Sequence, residues 1–147
     1  MKAFWLLTIF VSIHAYGQDA GQSKMQNIRA LLKAGTIKKV EILRVPDSVA
    51  TRTSLTPELL RSSAHYKVTL SYGFESSLDS LFAETSVQGS SRTSDLRWGV
   101  LFYDASGQQL ASIFVDHFGE TGYINKEAVR FSPNLGKRLR RFVQELP

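Results

Sequence analysis

The residues with the strongest potential for chemistry are Asp116, His117 and Glu120. One imidazole and two carboxylates within five positions could act as a general acid and base, or could ligate a metal ion. Successive side chains of a strand point to opposite faces, so Asp116 and His117 are predicted to diverge, with His117 on the core side. A simpler interpretation is that Asp116 forms an ion pair with Arg97 across a β-hairpin. The sequence therefore favours a structural role, with catalysis as the alternative.

Other catalytic and cofactor patterns are missing from the sequence. No serine lies in a Gly-x-Ser-x-Gly motif, and neither glycine-rich phosphate-binding motif occurs. The chain has no cysteine, which excludes thiolate zinc sites and a cysteine nucleophile. His65 is predicted on the polar face of a strand, and Asp104 opens a hairpin turn without the acidic residues of a calcium loop. We therefore expect neither a metal site nor a cofactor.

The elements that position these residues follow from hydrophobic spacing and capping signals. Helices are predicted to begin at Gln22, Pro57, Ser76 or Ser77, and Ser132-Pro133. Strands are predicted over residues 37–45, 65–72, 96–103, 109–117 and 123–131, whereas residues 88–94 are predicted to be a mobile loop. The order α-β-α-β-α-β-β-β-α predicts a single α+β domain over residues 18–147, with a largely antiparallel sheet of about five strands and three to four amphipathic helices.

The pairing of two strands can be predicted residue by residue. A four-residue turn over residues 105–108 gives three apolar pairs on one face: Trp98 with Val115, Val100 with Ile113, and Phe102 with Ala111. On the other face the same register pairs Arg97 with Asp116, Gly99 with Phe114, Leu101 with Ser112, and Tyr103 with Leu110. The first face is therefore predicted to lie in the core.

The second face of this hairpin is a candidate binding surface for a protein partner. Its candidate contact residues are Arg97, Leu101, Tyr103, Leu110 and Phe114. Exposed apolar patches with a charged rim often mark partner sites, and tyrosine and arginine are frequent anchors. Alternatively, one of the predicted helices covers this face. The sequence leaves both interpretations open.

The N-terminal residues predict export from the cell. Met1 and Lys2 precede an apolar run from Ala3 to Ala15, and Ala15 and Gly17 supply the small residues of a cleavage site. The run is shorter than the ~20 residues that span a bilayer, so residues 1–17 are predicted to be a signal peptide. No later apolar stretch is long enough to be a transmembrane segment. An exported domain of this size without disulfides fits a bacterial periplasmic or secreted protein.

The charge distribution bears on possible partners. The formal net charge is +5, and Lys2 is the only charged residue in the predicted signal peptide. Four cationic residues cluster near the C-terminus: Lys137, Arg138, Arg140 and Arg141. They are interpreted as a solvated helix face, with weak contact to an anionic envelope surface as the alternative. Export argues against a nucleic-acid partner.

Together these patterns favour binding over catalysis. The expected function is that of an exported bacterial envelope protein, a non-enzymatic module for a protein or peptide partner with an inhibitor or immunity-like role. The alternative is a small-ligand-binding protein or hydrolase with a pocket near His117. A concave pocket lined by His117 and Glu120 would favour that alternative.

Overall fold

The structure, a computed structural model, describes residues 19–91 and 95–146. The predicted signal peptide and residues 92–94 of the predicted mobile loop lie outside the described residues. Within the described ranges the chain forms four helices and a seven-stranded antiparallel sheet. The predicted α+β class is confirmed, and the sheet is larger than the expected five strands.

The helices and strands alternate in the first half of the chain, and strands dominate the second half. The helices are α1 (Asp19–Lys33), α2 (Pro57–Ser63), α3 (Glu75–Ala83) and α4 (Leu135–Gln144). The strands are β1 (Lys39–Arg44), β2 (Tyr66–Leu70), β3 (Ser86–Gly89), β4 (Leu96–Tyr103), β5 (Gln109–Asp116), β6 (Thr121–Ile124) and β7 (Glu127–Ser132). Their order in the sheet is β2-β1-β4-β5-β6-β7-β3, and every neighbouring pair is antiparallel.

The helix starts follow capping chemistry, although not always at the predicted residue. The Thr56 hydroxyl accepts a hydrogen bond from the Leu59 N–H at 3.3 Å, and Pro57 occupies the first turn of α2, as predicted. In α4 the cap is Asn134, two residues after the predicted Ser132. The predicted Ser76 or Ser77 cap of α3 is wrong, because α3 begins at Glu75 without a side-chain cap.

Two regions differ from the predicted strand pattern. Residues 86–89 form β3 at one edge of the sheet, although Gln88 and Gly89 were expected in a loop. Residues 123–131, predicted as one strand, belong to the β6–β7 hairpin, with Asn125 and Lys126 as its turn. Asn125 adopts a left-handed conformation with φ 56°, which asparagine tolerates better than most residues. Its N–H donates to the Ser112 carbonyl at 2.8 Å, which ties the turn to β5.

The sheet separates two apolar cores. On one face, α1, α3 and α4 pack through Met25, Leu32, Leu78 and Leu139 against the centre of the sheet. That face of the hairpin consists of the six apolar residues predicted to be buried, Trp98, Val100, Phe102, Ala111, Ile113 and Val115. On the other face, α2 and the segment before it cover Leu43, Leu101 and Phe114 with Leu55 and Leu60. The second face of the β4–β5 hairpin is therefore covered by a helix.

The predicted register of β4 and β5 is confirmed in the centre and wrong at both ends. Five pairs agree, from Trp98–Val115 to Phe102–Ala111. Near the open end Leu96 lies opposite Asp116, and the register shifts between Leu96 and Trp98, so that Arg97 is the extra residue. Near the turn Tyr103 lies opposite Gln109 rather than Leu110. Leu110 consequently packs against the first core, on the opposite face from Leu101.

Strand β2 is less buried than its alternating pattern predicts. Within residues 65–72 apolar residues alternate with polar ones, a pattern that predicts Tyr66 and Tyr72 on one buried face. Their relative exposures are instead 59% and 87%. β2 is an edge strand that pairs with β1 alone, and Tyr72 lies beyond its end. Only Val68 and Leu70 pack against the first core, so the pattern predicts the strand correctly and overestimates its burial.

Candidate functional site

The Asp116 carboxylate holds the turn between β5 and β6. One carboxylate oxygen, Oδ1, accepts hydrogen bonds from the N–H groups of Gly119 at 2.7 Å, Glu120 at 3.0 Å and Thr121 at 3.3 Å. The other, Oδ2, accepts the Thr121 hydroxyl at 2.7 Å. The side chain is almost completely buried, so these bonds compensate for its lost hydration. The hydrogen bonds of Asp116 indicate a structural role, in which its carboxylate stabilises a tight turn.

His117 and Glu120 lie on the surface beside this turn. Strand β5 ends at Asp116, and His117 is exposed, so its predicted core-side position is wrong. The imidazole stacks on the neighbouring Phe118 ring, with centroids 3.7 Å apart and planes inclined by 40°. Glu120 is also exposed. Among residues 19–91 and 95–146, no group of three or more potential ligands is arranged to hold a metal ion.

Arg97 binds Asp95 rather than Asp116. Its Nε donates to the Asp95 carboxylate at 2.8 Å, and Nη2 donates to the same oxygen. Nη1 donates to the carbonyls of Val49 at 2.9 Å and Pro46 at 3.3 Å. Within the described part of the chain, the predicted Arg97–Asp116 ion pair is therefore wrong. The guanidinium instead attaches the segment between β1 and α2 to the start of β4.

The five predicted partner-binding residues do not form one exposed surface. Leu101 and Phe114 are 2% and 1% exposed, because α2 packs over them. Arg97 is buried, Tyr103 is half-buried, and Leu110 lies on the other side of the sheet. Of the two interpretations of this face, the one in which a helix covers it therefore agrees with the structure.

A groove lies at the side of α2 that faces the β6–β7 turn. Its volume is about 480 Å³. Helix α2 contributes Glu58 and Arg61, and the turn contributes Asn125 and Lys126. Ser112, Phe114 and Tyr123 line it from the sheet. The groove therefore combines two aromatic rings with hydrogen-bonding and charged side chains.

The cations of the groove are available for a ligand. The Arg61 guanidinium carbon lies 5.6 Å from the centre of the Phe114 ring, a cation–π contact that orients the side chain. Within the described ranges, neither Arg61 nor Lys126 forms an ion pair. The pKa of the Glu58 carboxyl is lowered, first by its own backbone N–H and then by the Thr56 hydroxyl, so this acid is ionised at neutral pH.

A charged cluster adjoins the groove along the same sheet face. Glu41 Oε1 lies 3.1 Å from Lys67 Nζ and 3.2 Å from Lys39 Nζ, and its Oε2 accepts the Tyr103 hydroxyl at 3.2 Å. Burial raises the pKa of Glu41, but hydrogen bonds and charges from Lys67 and Lys39 outweigh it, so the net shift is downward. The pKa of Tyr103 is raised by burial and by Glu41, whereas the charge of Arg61 lowers it. Arg61, which lines the groove, therefore acts electrostatically on a member of this cluster.

The groove joins residues that are distant in the sequence. Arg61 and Lys126 come from α2 and the β6–β7 turn, and Ser112 comes from β5. Sequence reasoning missed the site because it did not identify the hairpin turn at Asn125 and Lys126. The ragged hydrophobic pattern at those two residues was the available signal.

Comparisons with known proteins do not assign the chain to a family. No family model, no curated protein and no solved structure matches it. Among the helices of the described residues, none has the length and apolar character needed to cross a membrane. A functional proposal must therefore depend on the geometry of the site.

Proposed function

We propose that this chain is an exported bacterial envelope protein that binds a protein or peptide partner, with an inhibitor or immunity-like role and no catalytic activity. The observation that carries the proposal is the groove between α2 and the β6–β7 turn. The groove replaces the second face of the β4–β5 hairpin as the candidate contact surface, because α2 buries most of that face.

The groove chemistry supports binding rather than hydrolysis. Its ionisable lining residues are Glu58, Arg61, Tyr123 and Lys126. Nucleophilic hydrolysis needs a nucleophile within hydrogen-bonding reach of a base. The His117 imidazole, the base favoured by the alternative, stacks on Phe118 outside this lining. Tyrosine and arginine, by contrast, are among the residues that most often anchor protein interfaces.

A small anionic ligand is the second candidate. The groove volume of about 480 Å³ falls within the range of small-molecule sites. Such a ligand would contact the same Arg61 and Lys126 side chains, so the two candidates predict the same mutational sensitivity. They differ in the size of the molecule that is captured.

The proposed periplasmic or secreted location depends on the predicted signal peptide, residues 1–17. N-terminal sequencing of exported material is expected to start at Gln18 or within a few residues of it. A stable product that retains Met1 would contradict export.

The proposed contact of α4 with an anionic surface depends on fewer cations than the sequence suggests. Arg138 binds Glu84 at 2.8 Å, and Arg140 binds Asp47 at 3.0 Å. The remaining two cations, Lys137 and Arg141, are exposed. Weak, salt-sensitive binding to anionic vesicles that is lost in a Lys137→Gln/Arg141→Gln variant would support this contact. Binding unchanged in that variant would refute it.

The absence of cysteine from the sequence permits a site-specific capture experiment. Lys126→Cys places one thiol at the groove, and Lys33→Cys places one on α1, which packs on the opposite face of the sheet. Each purified variant is labelled with a benzophenone photocrosslinker and irradiated in envelope extract. Adducts are identified by mass spectrometry, and each reaction is repeated with excess unlabelled protein.

The proposal predicts a discrete adduct from Lys126→Cys that unlabelled protein suppresses. The same adduct is expected to be absent from Lys33→Cys. A protein or peptide adduct supports the proposed function, and a small-molecule adduct supports the second candidate. Identical adducts from both positions, or none from either, would refute the groove as a partner site.

A further inference from the structure

We propose that the groove selects an acidic peptide segment, whose carboxylates bind between Arg61 and Lys126. This inference rests on the proposed function and specifies the chemistry of the partner. It follows from two cations that α2 and the β6–β7 turn contribute to one concave surface, and neither cation forms an ion pair within residues 19–91 and 95–146. A carboxylate placed between them would gain two charge-assisted contacts, which are stronger than neutral hydrogen bonds.

The Arg61 side chain is oriented before any ligand binds. Phe114 is fixed in the second core, and its ring lies under the guanidinium. A long cationic side chain normally loses rotamer freedom when it binds, and an existing contact reduces that cost. The stacked guanidinium retains hydrogen-bond donors at its edge, and these fit a carboxylate.

The charges around the groove also favour an acidic partner. The groove lining contains one carboxylate, Glu58, and two cations, Arg61 and Lys126. The adjoining cluster adds Lys39 and Lys67 around one carboxylate, Glu41. The groove and the cluster together contain four cations and two acids, so their combined charge is positive. This potential would accelerate association with an acidic segment and would be weakened by salt.

The concave shape favours a peptide over a bilayer as the source of the anionic groups. An extended segment fits into a groove between a helix and a turn, whereas a flat lipid surface contacts protruding side chains. Tyr123, half-buried in the lining, provides aromatic surface for a side chain next to the carboxylates. Vesicles that contain anionic lipid serve as the probe for the alternative source.

The inference is tested with the mature chain and two labelled peptides. Fluorescein-labelled hexaglutamate and hexaglutamine have the same length and similar side-chain size, and differ in charge. Binding is measured by fluorescence anisotropy at low and high salt. The variants Arg61→Gln and Lys126→Gln each remove one groove cation. Lys33→Gln removes one exposed cation from α1, where Lys33 Nζ lies 3.7 Å from Asp79 Oδ2, and is the control for net charge.

The inference predicts that hexaglutamate binds more tightly than hexaglutamine and that salt weakens its binding. Each groove variant is expected to weaken the affinity for hexaglutamate about fivefold, which corresponds to a loss of ~1 kcal/mol of binding free energy. Lys33→Gln is expected to change this affinity less than about twofold. Thermal melting of each variant establishes that the fold is retained. Lys126 lies on an exposed turn, so its variant remains informative if Arg61→Gln is unstable.

Three outcomes would overturn the inference. Equal losses in Lys33→Gln and the groove variants would mean that only net charge matters. Equal binding of hexaglutamine, or no binding of either peptide, would exclude acidic selection. Cation-dependent binding confined to anionic vesicles would identify a lipid surface instead. The proposed function is tested by a different experiment, and it would be refuted if crosslinking at Lys126→Cys yielded no site-selective adduct.

Discussion

The buried Arg97 forms an ion pair with the half-buried Asp95 at the start of β4, two positions apart in the sequence. The Asp95 carboxylate also accepts the Leu55 N–H at 2.7 Å through its second oxygen. Because Arg97 additionally binds the carbonyls of Pro46 and Val49, the pair fixes both ends of the segment that leads into α2. The covering of the second core therefore depends on this contact.

Replacement of Arg97 by methionine is expected to destabilise the fold. Arg97→Met retains the aliphatic part of the side chain, but it leaves the Asp95 carboxylate without its cation and two carbonyls without their donor. Loss of one partner of a buried pair costs about 3 kcal/mol. Because Asp95 remains partly hydrated, we expect a smaller loss, of about 2 kcal/mol in the free energy of unfolding in urea. Arg52→Met, at an exposed position, is the control and is expected to change stability by less than about 0.5 kcal/mol. Equal effects would show that the ion pair contributes nothing.

Gly99 is expected to be intolerant of alanine. A Cβ atom at this position would lie 3.2 Å from Leu60 Cδ2 and 3.2 Å from Phe114 Cε1. Gly99→Ala therefore overpacks the second core, at a cost of roughly 1–3 kcal/mol. Leu60→Ala creates a cavity at the same place, so the double variant is expected to lose less stability than the sum of the two single variants. Additive losses in urea unfolding would contradict direct packing of α2 on Gly99.

Asp116→Asn is expected to loosen the β5–β6 turn. The amide can replace only part of the acceptor capacity that three N–H groups and the Thr121 hydroxyl use. We expect a loss of roughly 1–3 kcal/mol, with faster hydrogen exchange at Gly119, Glu120 and Thr121. Asp104→Asn is the matched control, because Asp104 accepts two backbone N–H groups in an exposed turn. The hypothesis is wrong if the exchange rates at residues 119–121 are unchanged.

Glu41 is expected to contribute to the acid sensitivity of the fold. Its pKa in the folded state lies below the ordinary value of 4.5, so its ionised form stabilises the fold at neutral pH. This contribution is lost as the pH falls below 4.5 through the folded-state pKa. Glu41→Gln should therefore be less stable than the parent at neutral pH, and the difference should shrink as the pH falls.

Urea unfolding at a series of pH values measures this effect. Lys67→Gln removes one cause of the lowered pKa, so it should reduce the pH dependence in the parent chain. In the Glu41→Gln background the same substitution should leave the pH dependence unchanged. A constant difference between the parent and Glu41→Gln at all pH values would contradict the lowered pKa.

The centre of the β4–β5 hairpin could be predicted because two independent signals agree there. The turn around Ser106 and Gly107 sets the register, and the alternation of apolar residues selects the face. At Arg97 the same reasoning failed, because a bulge adds one residue to β4 without changing the hydrophobic pattern. The acid that binds Arg97 in the structure is Asp95.

Strand β3 and the candidate site were both harder to predict than the hairpin. β3 is polar except for Val87, and its pairing with β7 depends on contacts between distant parts of the chain. The groove depends on the position of α2 over Phe114, which the sequence left as one of two alternatives. Local patterns predict elements, but a site built from α2, β5 and the β6–β7 turn requires their tertiary arrangement.

The strand order has a consequence for the timing of folding. In the sheet of the described residues β3 is an edge strand that pairs with β7, so that Ser86 lies opposite Ser132, and α1 packs against the same edge. A chain that emerges N-terminus first therefore lacks the partner of β3 until β7 has emerged. The β4–β5 hairpin has a short loop and is expected to form early, whereas the β1–β4 and β3–β7 pairings join residues that are distant in the sequence and are expected to form later. Completion of the sheet at this edge is therefore coupled to the synthesis of β7, which supplies the backbone hydrogen-bonding partner of β3.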